Sequence, residues 1–397
     1  MVAAVRRPKL ATVSITLVVV PLLLAGVVAS AASTPAAAMT ETGSSNAVSS
    51  TTAGYLSGVA ATSANDAWAV GGDYSKGSYK TLILRWNGAT WTRVAGPVGD
   101  LYGVAATSAT NAWAVGTDYI SSETSKTLIL HWNGTAWKQV TSPRPAAESN
   151  LSAVAATSAT NAWAVGTVYT STDTSKTLIL HWNGSVWKQM PSPSPGAQIG
   201  LSAVAATSAT NAWAVGSIFS FSGAKTLILH WNGSVWARVP SPNPDANMGL
   251  EDLLSGVAAT SAHNAWAIGG ISCGCGPGAG LILHWNGKVW KQVANSGSGL
   301  WGVAAVSARS AWVVGGAGSG DSPTKSLILH WNDTSWKQVP SPSPGAGTSP
   351  GDGARLSSVA VISTSSAWAV GGYVTGSGSS TSDRTLILHW NGKVWKR

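Results

Sequence analysis

Cysteine, phenylalanine and charged side chains are scarce in this chain. Only two of its 397 residues are cysteine and two are phenylalanine, and charged residues make up 10% of the sequence. Two cysteines exclude a disulfide framework and are too few for a zinc site of known type. The low charge argues against a disordered chain, and the many Gly, Thr, Val and Trp residues argue against a helical one.

Acidic residues are also few, 15 against 24 basic ones. The sequence contains no Gly-x-Ser-x-Gly in a strand–turn–helix context, no phosphate-binding loop and no dinucleotide fingerprint. A glycosidase needs two carboxylates at a defined separation, and nothing singles out such a pair among the loop acids. We therefore predict no catalytic residue, no metal and no cofactor, and an enzyme stays open as an alternative.

The net charge of +9 falls to +6 when Arg6, Arg7 and Lys9 are set aside, since 9 − 3 = 6. The remaining basic residues are spread over the chain and form no run, whereas a nucleic-acid site needs them clustered on one face. We expect a monomer that binds no nucleic acid.

The N-terminus resembles a secretory signal. Three basic residues precede an apolar stretch, and "VVASA" offers small residues for cleavage after Ala31. We predict a signal peptide over 1–31, with an uncleaved membrane anchor as the alternative, and a flexible linker rich in Ala, Ser and Thr over 32–53. This predicts a secreted or cell-surface protein with no other membrane association.

The two cysteines stand close together, at Cys273 and Cys275, in "SCGCGPG". A strained disulfide between them and a pair of free thiols are both open, and neither decides the fold.

Tryptophan, by contrast, is abundant, with 22 copies, and it marks an internal repeat. "HWNGTAW" at 131–137 has close copies at 85–91, 181–187, 230–236, 284–290, 330–336 and 389–395. In a unit of about 50 residues, four β-type runs are visible, as at 151–156, 162–166, 177–182 and 186–190. Asn-Gly between the last two runs is a strong hairpin signal.

Seven such units predict an all-β fold, a seven-bladed β-propeller of four-stranded antiparallel blades spanning 54–397. The first strand should be innermost, since its third position is always small, and the fourth, which carries Lys or Arg, should be outermost. How the ring closes is left open. The units lie near 56–100, 101–150, 151–200, 201–250, 251–299, 300–355 and 356–397.

The repeated side chains favour structural roles. The histidines His131, His181, His230, His284, His330 and His389 lie on third strands, where copies in adjacent blades diverge, so we expect polar contacts between blades rather than a metal ring. With so little phenylalanine, the repeated tryptophans should form the core between blades.

Residues that break the repeat are better candidates for function. The antiparallel order places the short, constant turns at one end of the blades and the length-variable connections at the other. At the variable end we predict a ligand-binding site of aromatic residues, which suits a carbohydrate or a peptide; its candidate residues are Tyr102, Trp301, Tyr74, Tyr119, Tyr169, Phe219 and Tyr373.

The unit "NAWAVG … LILHWNGxxW" resembles repeats of secreted bacterial propellers of the Asp-box or BNR-like, kelch or galactose-oxidase-like, and tectonin types. It departs from the Asp-box pattern, because Asn133 stands where the Asp would fall and the motif is one residue short. The resemblance implies the propeller architecture. The residue sets used by sialidases and by galactose oxidase cannot be placed on this chain.

We therefore expect a non-catalytic binding protein that recognises an extracellular glycan or a surface protein through the variable end. A hydrolase or lyase acting on polysaccharide is the alternative, and a scaffold in a surface assembly is a second.

Overall fold

The computed structural model describes most of the chain beyond residue 52 as seven separate four-stranded antiparallel sheets. The described residues are 53–75, 78–120, 124–143, 145–146, 148–171, 174–221, 223–244, 250–272, 279–295, 297–318, 325–345, 353–375 and 382–397. The predicted signal peptide at 1–31, nearly all of the predicted linker and both cysteines lie outside them.

Each sheet is built from four consecutive strands and forms one blade. Blades one and two comprise β1 (Tyr55–Ser63), β2 (Asp66–Ser75), β3 (Ser78–Trp86), β4 (Trp91–Val94), β5 (Asp100–Ser108), β6 (Asn111–Tyr119), β7 (Ser125–Trp132) and β8 (Trp137–Gln139). Blades three and four comprise β9 (Glu148–Ser158), β10 (Asn161–Ser171), β11 (Thr174–Trp182), β12 (Trp187–Gln189), β13 (Gln198–Ser208), β14 (Asn211–Ser220), β15 (Gly223–Trp231) and β16 (Trp236–Arg238). Blades five and six comprise β17 (Glu251–Ser261), β18 (Asn264–Ser272), β19 (Ala279–Trp285), β20 (Trp290–Gln292), β21 (Leu300–Ser307), β22 (Ser310–Ala317), β23 (Lys325–Trp331) and β24 (Trp336–Gln338). Blade seven comprises β25 (Gly353–Ser363), β26 (Ser366–Thr375), β27 (Ser382–Trp390) and β28 (Trp395–Lys396).

The first strands of successive blades pack against one another around a ring, and β25 packs against β1. The predicted seven-bladed propeller is therefore confirmed, with the first strand of each blade innermost and the fourth outermost. We call the end with the tight first–second and third–fourth turns the constant face, and the opposite end the variable face.

The hydrophobic core consists of seven clusters, each shared by two neighbouring blades. In each, a fully or almost fully buried Trp of the second strand packs on two Trp residues of the next blade. Trp68, for example, has ring centroids 4.8 Å from Trp132 and 5.0 Å from Trp137. The tryptophans therefore form the core between blades, as predicted.

The histidines pack beside these tryptophans. His131 stacks on Trp113 at 4.2 Å, and its Nε2 lies 2.8 Å from Oδ1 of Asn111, whose Nδ2 donates to Thr107. Burial lowers the pKa of His131, since a charged ring would lose hydration. The His–Asn pair recurs in blades three to five, and a serine replaces the asparagine in blades six and seven, so these side chains serve the packing of blades.

Blade one has an ion pair at the position of this polar contact. Arg85 replaces the histidine, and its Nη2 donates to Oδ1 of Asp66 at 3.1 Å. Its guanidinium lies 5.0 Å from the centre of the Trp68 ring, which adds a cation–π contact.

The third–fourth strand hairpins turn on Asn-Gly in six blades, as the sequence indicates. The glycine adopts positive φ, 95° at Gly134, and the Asn133 side chain accepts from the backbone N–H of the next turn residues. Blade six has Asp333 there, with φ of 77°, the positive-φ non-glycine residue of the described chain.

The ring closes between blades seven and one without exchange of a full strand. Trp368 packs on Trp86 at 4.9 Å and on Trp91 at 5.2 Å. Ala53 forms a β-bridge with Arg384, as Val98 does with Lys80 and Ser298 with Ala279. Ala53, just before β1, thus pairs with the third strand of blade seven. Val98 and Ser298, which follow the fourth strands of blades one and five, pair in the same way with the third strand of their own blade.

Within the described residues, no helix is long and apolar enough to cross a membrane.

Candidate functional site

A β-bulge lies at the same point of every innermost strand, on the side of the variable face. Pairing with the second strand shifts between Leu101 and Gly103, and likewise between Leu300 and Gly302. The residues skipped by the pairing are therefore Tyr102 and Trp301, which replace the serine found in the other blades. A bulge re-aims its side chain, and both aromatic rings are half-buried there.

Three tyrosines form a continuous row across blades one and two. Tyr74 and Tyr79 face each other across β2 and β3, with ring centroids 4.7 Å apart. Tyr119, at the end of β6, stacks on Tyr79, again with ring centroids 4.7 Å apart. Tyr74 is 62% exposed and Tyr119 39% exposed, so the row presents aromatic surface to solvent.

A hydrogen-bonded network continues from this row toward the centre of the ring. The hydroxyl of Tyr119 lies 2.6 Å from that of Tyr102. The buried carboxyl group of Asp100 lies close enough to Tyr102 to influence its pKa, and Tyr55 donates a hydrogen bond to Oδ2 of this carboxyl group. We call Tyr55, Tyr74, Tyr79, Tyr102, Tyr119 and Asp100 the tyrosine cluster.

Asp100 lies at the base of the tyrosine cluster and is only 2% exposed. Burial raises the pKa of its carboxyl group to about 6, although the hydrogen bond from Tyr55 favours the ionised form. Burial also raises the pKa of Tyr55, Tyr102 and Tyr119, so their phenols stay protonated. A buried carboxylate among phenols is a perturbed acid of the kind found at functional sites.

Gly72 makes room for this carboxylate. A Cβ atom at Gly72 would lie 2.3 Å from Asp100 Oδ1 and 2.9 Å from the Tyr55 hydroxyl, well inside van der Waals contact. Any larger residue at this position of β2 would displace Asp100 or Tyr55.

The structure brings some of the predicted site residues together and leaves others apart. Tyr74, Tyr102 and Tyr119 belong to the cluster, and Tyr169 lies close enough to influence Tyr119 electrostatically. Tyr169 also accepts a hydrogen bond from Asn150 Nδ2 at 3.4 Å. These residues occupy blades one to three.

Three predicted residues lie elsewhere. Trp301 is on blade six and makes no ring contact with the cluster among the described residues, and Phe219 is half-buried on blade four. Tyr373 is 7% exposed within the core of blades six and seven, where its hydroxyl accepts from Arg397. Because its ring fills this core, Tyr373 offers no open surface for a ligand, contrary to expectation.

Sequence reasoning missed Tyr55, Tyr79 and Asp100. Tyr55 and Asp100 are equivalent, each standing directly before the Leu of an innermost strand, a position that varies from blade to blade. A usable signal was present, because every tyrosine except Tyr373 lies between residues 55 and 169.

No group of three His, Cys, Asp or Glu side chains that could hold a metal ion occurs within the described part of the chain.

Comparisons with known proteins agree on architecture. No protein-family model matches the chain, and no curated protein is significantly similar to it. Among solved structures, the chain resembles the GH74 xyloglucanase from Xanthomonas campestris, with 15% identity, a TM-score of 0.54, and coverage of 87% of this chain and 53% of the enzyme. The chain thus spans about half of that enzyme.

The β-propeller domain of the Trilobed protease from Pyrococcus furiosus is similar over 87% of this chain and 96% of the domain, with 9% identity and a TM-score of 0.52. YCF48 from Cyanidioschyzon merolae is 18% identical over 75% of this chain and 84% of its own length, with a TM-score of 0.43. At these identities the similarity shows the β-propeller fold alone.

Proposed function

We propose that this chain is a secreted or cell-surface binding protein, and that the tyrosine cluster on its variable face recognises an extracellular carbohydrate. The observation that carries the proposal is the row of Tyr74, Tyr79 and Tyr119, which is exposed at Tyr74 and Tyr119 and is hydrogen-bonded through Tyr119 to Tyr102. Aromatic faces pack on the C–H surface of a sugar, and nearby phenols bond its hydroxyls.

The rest of the variable face supports this position for the site. Loops on a rigid scaffold usually carry the function of the protein, and the cluster lies where the variable connections of blades one and two meet. A protein partner is the other ligand class that exposed tyrosines suit. It would need a contact surface of roughly 800 Å² on this chain, far wider than one row of three rings.

An enzyme acting on polysaccharide has one observation in its favour, the raised pKa of Asp100. A glycosidase, however, works with two carboxyl groups, and no second carboxylate contributes to the shift at Asp100. Asp100 is also buried beneath the tyrosines rather than open to a substrate. Binding therefore accounts for the site better than hydrolysis does.

The test is a glycan array followed by calorimetric titration of the best ligand. Tyr74→Ala should weaken binding about tenfold, because removing one stacking ring costs on the order of 1 kcal/mol. Phe221→Ala is the matched control, since Phe221 is a fully exposed aromatic residue on blade four and should leave affinity unchanged. Equal losses in both variants, or turnover of the bound polysaccharide, would contradict the proposal.

A silent array combined with retention of a cell-surface protein on the purified chain would favour the scaffold alternative. Export is tested separately, by mass spectrometry of the protein in the culture medium. We expect an N-terminus at Ala32; an intact chain confined to the membrane fraction would indicate an anchor.

A further inference from the structure

We infer that a second site, in the groove between the outer edges of blades three and four, binds a carboxylated sugar. This site is separate from the tyrosine cluster, which lies on the variable face of blades one and two. It does not depend on the function proposed for that cluster.

The groove contains a cavity of about 320 Å³, which is within the size range of small-ligand sites. Most of its lining is apolar, and the residues concerned are Met190, Pro191, Pro193, Trp231, Val235 and Trp236. The two tryptophans are almost completely buried, whereas Val235 is 56% exposed. The groove therefore offers apolar surface on which the C–H face of a sugar ring can pack.

One wall of the groove is held in place by Thr177, on the third strand of blade three. The backbone N–H of Thr177 donates to Ser194 Oγ at 3.2 Å. The Thr177 hydroxyl donates to the carbonyl oxygen of Pro193 at 3.1 Å and lies 2.8 Å from Ser192 Oγ. Because this wall is fixed before a ligand arrives, binding costs little conformational entropy there.

Two basic side chains flank the groove, one from each blade. Lys188 lies opposite His181 across the third and fourth strands, and His181 stacks on Trp163, which packs against blade four. Arg238 lies opposite Leu229, which belongs to the core cluster shared by the two blades. Since side chains directly opposite each other lie on the same face of a sheet, both cations lie on the blade faces that meet at the groove. Both are exposed.

No acidic side chain offsets these two charges nearby. Residues 174–198 and 223–244 form the two outer strands of both blades and the connections that follow, and these stretches contain no Asp or Glu. A carboxylate can pair with both cations, and a guanidinium can bind it through two parallel hydrogen bonds. The apolar lining and the two cations together fit a sugar that carries a carboxylate.

The neighbouring grooves of the ring do not repeat this pair of cations. Between blades two and three, the equivalent positions hold Lys138 and Gln189. Between blades four and five they hold Ala237 and Gln292. The packing of blades therefore does not require two cations at the outer edge, which leaves ligand binding as a reason for them.

The experiment is a nuclear magnetic resonance titration of the full chain labelled in its methionine methyl groups. The chain has four methionines, of which Met190 lines the cavity, and Met190→Leu assigns its signal. The probes are glucuronic acid with glucose, and galacturonic acid with galactose; each neutral sugar has a hydroxymethyl group where the acid has a carboxylate. The Met190 signal should move with both acids. The neutral sugars should bind about tenfold more weakly, which corresponds to the loss of two exposed ion pairs.

Substitutions separate the local charges from the net charge of the protein. Lys188→Gln and Arg238→Gln should each weaken binding of the acids about threefold and leave binding of the neutral sugars unchanged. Lys176→Gln and Lys225→Gln are the matched controls, because these lysines are exposed on the same two blades but lie at the variable end of the third strands. They remove the same charge and should leave the affinity for the acids unchanged.

Three results would each overturn the inference: equal binding of acids and neutral sugars, equal losses in the groove variants and the controls, or a Met190 signal that none of the sugars moves. None of them bears on the tyrosine cluster, whose binding is tested by Tyr74→Ala.

Discussion

The two ends of each blade differ in how closely their side chains follow the repeat. Toward the constant face, each blade repeats a tryptophan triad and, in most blades, a polar pair such as His131 and Asn111. Toward the variable face, blade two places Asp100 where blade six has Gly299 and blade seven has Arg355. Seven similar blade interfaces are needed to close one ring, so the side chains toward the constant face repeat. A ligand site needs only a few blades, so the side chains toward the variable face can differ from blade to blade.

The comparison also shows what differences between blades cost. Toward the constant face, a residue that departs from the repeat must still form a polar contact. In blade one, Arg85 and Asp66 form an ion pair where blade two has the pair of His131 and Asn111. In the variable half, Asp100 carries a carboxyl whose pKa is raised to about 6. This burden on stability points to selection for something other than folding.

The largest expected effect is the loss of a repeated tryptophan. Trp213 is fully buried and packs on Trp285 at 5.1 Å and on Trp290 at 5.2 Å. Trp213→Ala should lower the free energy of unfolding by about 3–5 kcal/mol, as for other large core truncations. Trp301→Ala, at a half-buried position near the variable face, should cost much less in the same urea titration. Equal costs would remove the distinction between the two ends.

The second prediction is a substitution that stabilises the protein, at Asp100. Asp100 has a pKa of about 6 in the folded chain, above its ordinary value of 3.8. Both states are protonated below pH 3.8, so the penalty is absent there, grows as pH rises through 6, and is complete above it. Between pH 4 and pH 7.5, Asp100→Asn should therefore gain on wild type by up to about 3 kcal/mol.

The predicted gain is a difference in stability between two pH values. Any cost of packing the amide is the same at both, so it does not contribute to this difference. A difference between Asp100→Asn and wild type that is independent of pH would contradict the burial of a charge at this site.

These contrasts explain which features could be predicted from the sequence. The fold was predictable because seven copies of one hairpin motif, such as Trp132-Asn133-Gly134, carry the same local turn chemistry. Tyr102 and Trp301 could be recognised as departures from the repeat because they interrupt a repeated serine. Asp100 was missed because its role depends on Tyr55 of the preceding blade, 45 residues earlier, and such a pairing has no local signal.

The third prediction concerns acid. Six histidines, including His131 and His389, have a pKa lowered by burial, so the unfolded chain binds protons more readily. Their contribution to stability is complete above the ordinary histidine pKa of about 6.5 and is lost as pH falls below it. The thermal midpoint should fall accordingly in mild acid.

Blade one provides the means to test this. The double change Asn111→Asp with His131→Arg copies its ion pair into blade two and should remove one of the six acid-sensitive contacts. The midpoint of this variant should fall less steeply between pH 7 and pH 5 than that of wild type. A parallel fall would show that the histidines do not set the acid response.

The smallest expected effect concerns blade six, whose third–fourth strand hairpin departs from the repeat at the constant face. Asp333 adopts φ of 77°, where the matching hairpins have glycine, and a side chain there costs about 1 kcal/mol. Asp333 also pairs with Arg309 at 3.5 Å, but both side chains are largely exposed, at 54% and 82%, so the pair contributes little. The strain should outweigh the ion pair, and Asp333→Gly should raise the free energy of unfolding by about 0.5–1 kcal/mol. Arg309→Ala isolates the ion pair; if that variant loses as much stability as Asp333→Gly was expected to gain, the pair compensates for the strain, and even this departure from the repeat has a structural reason.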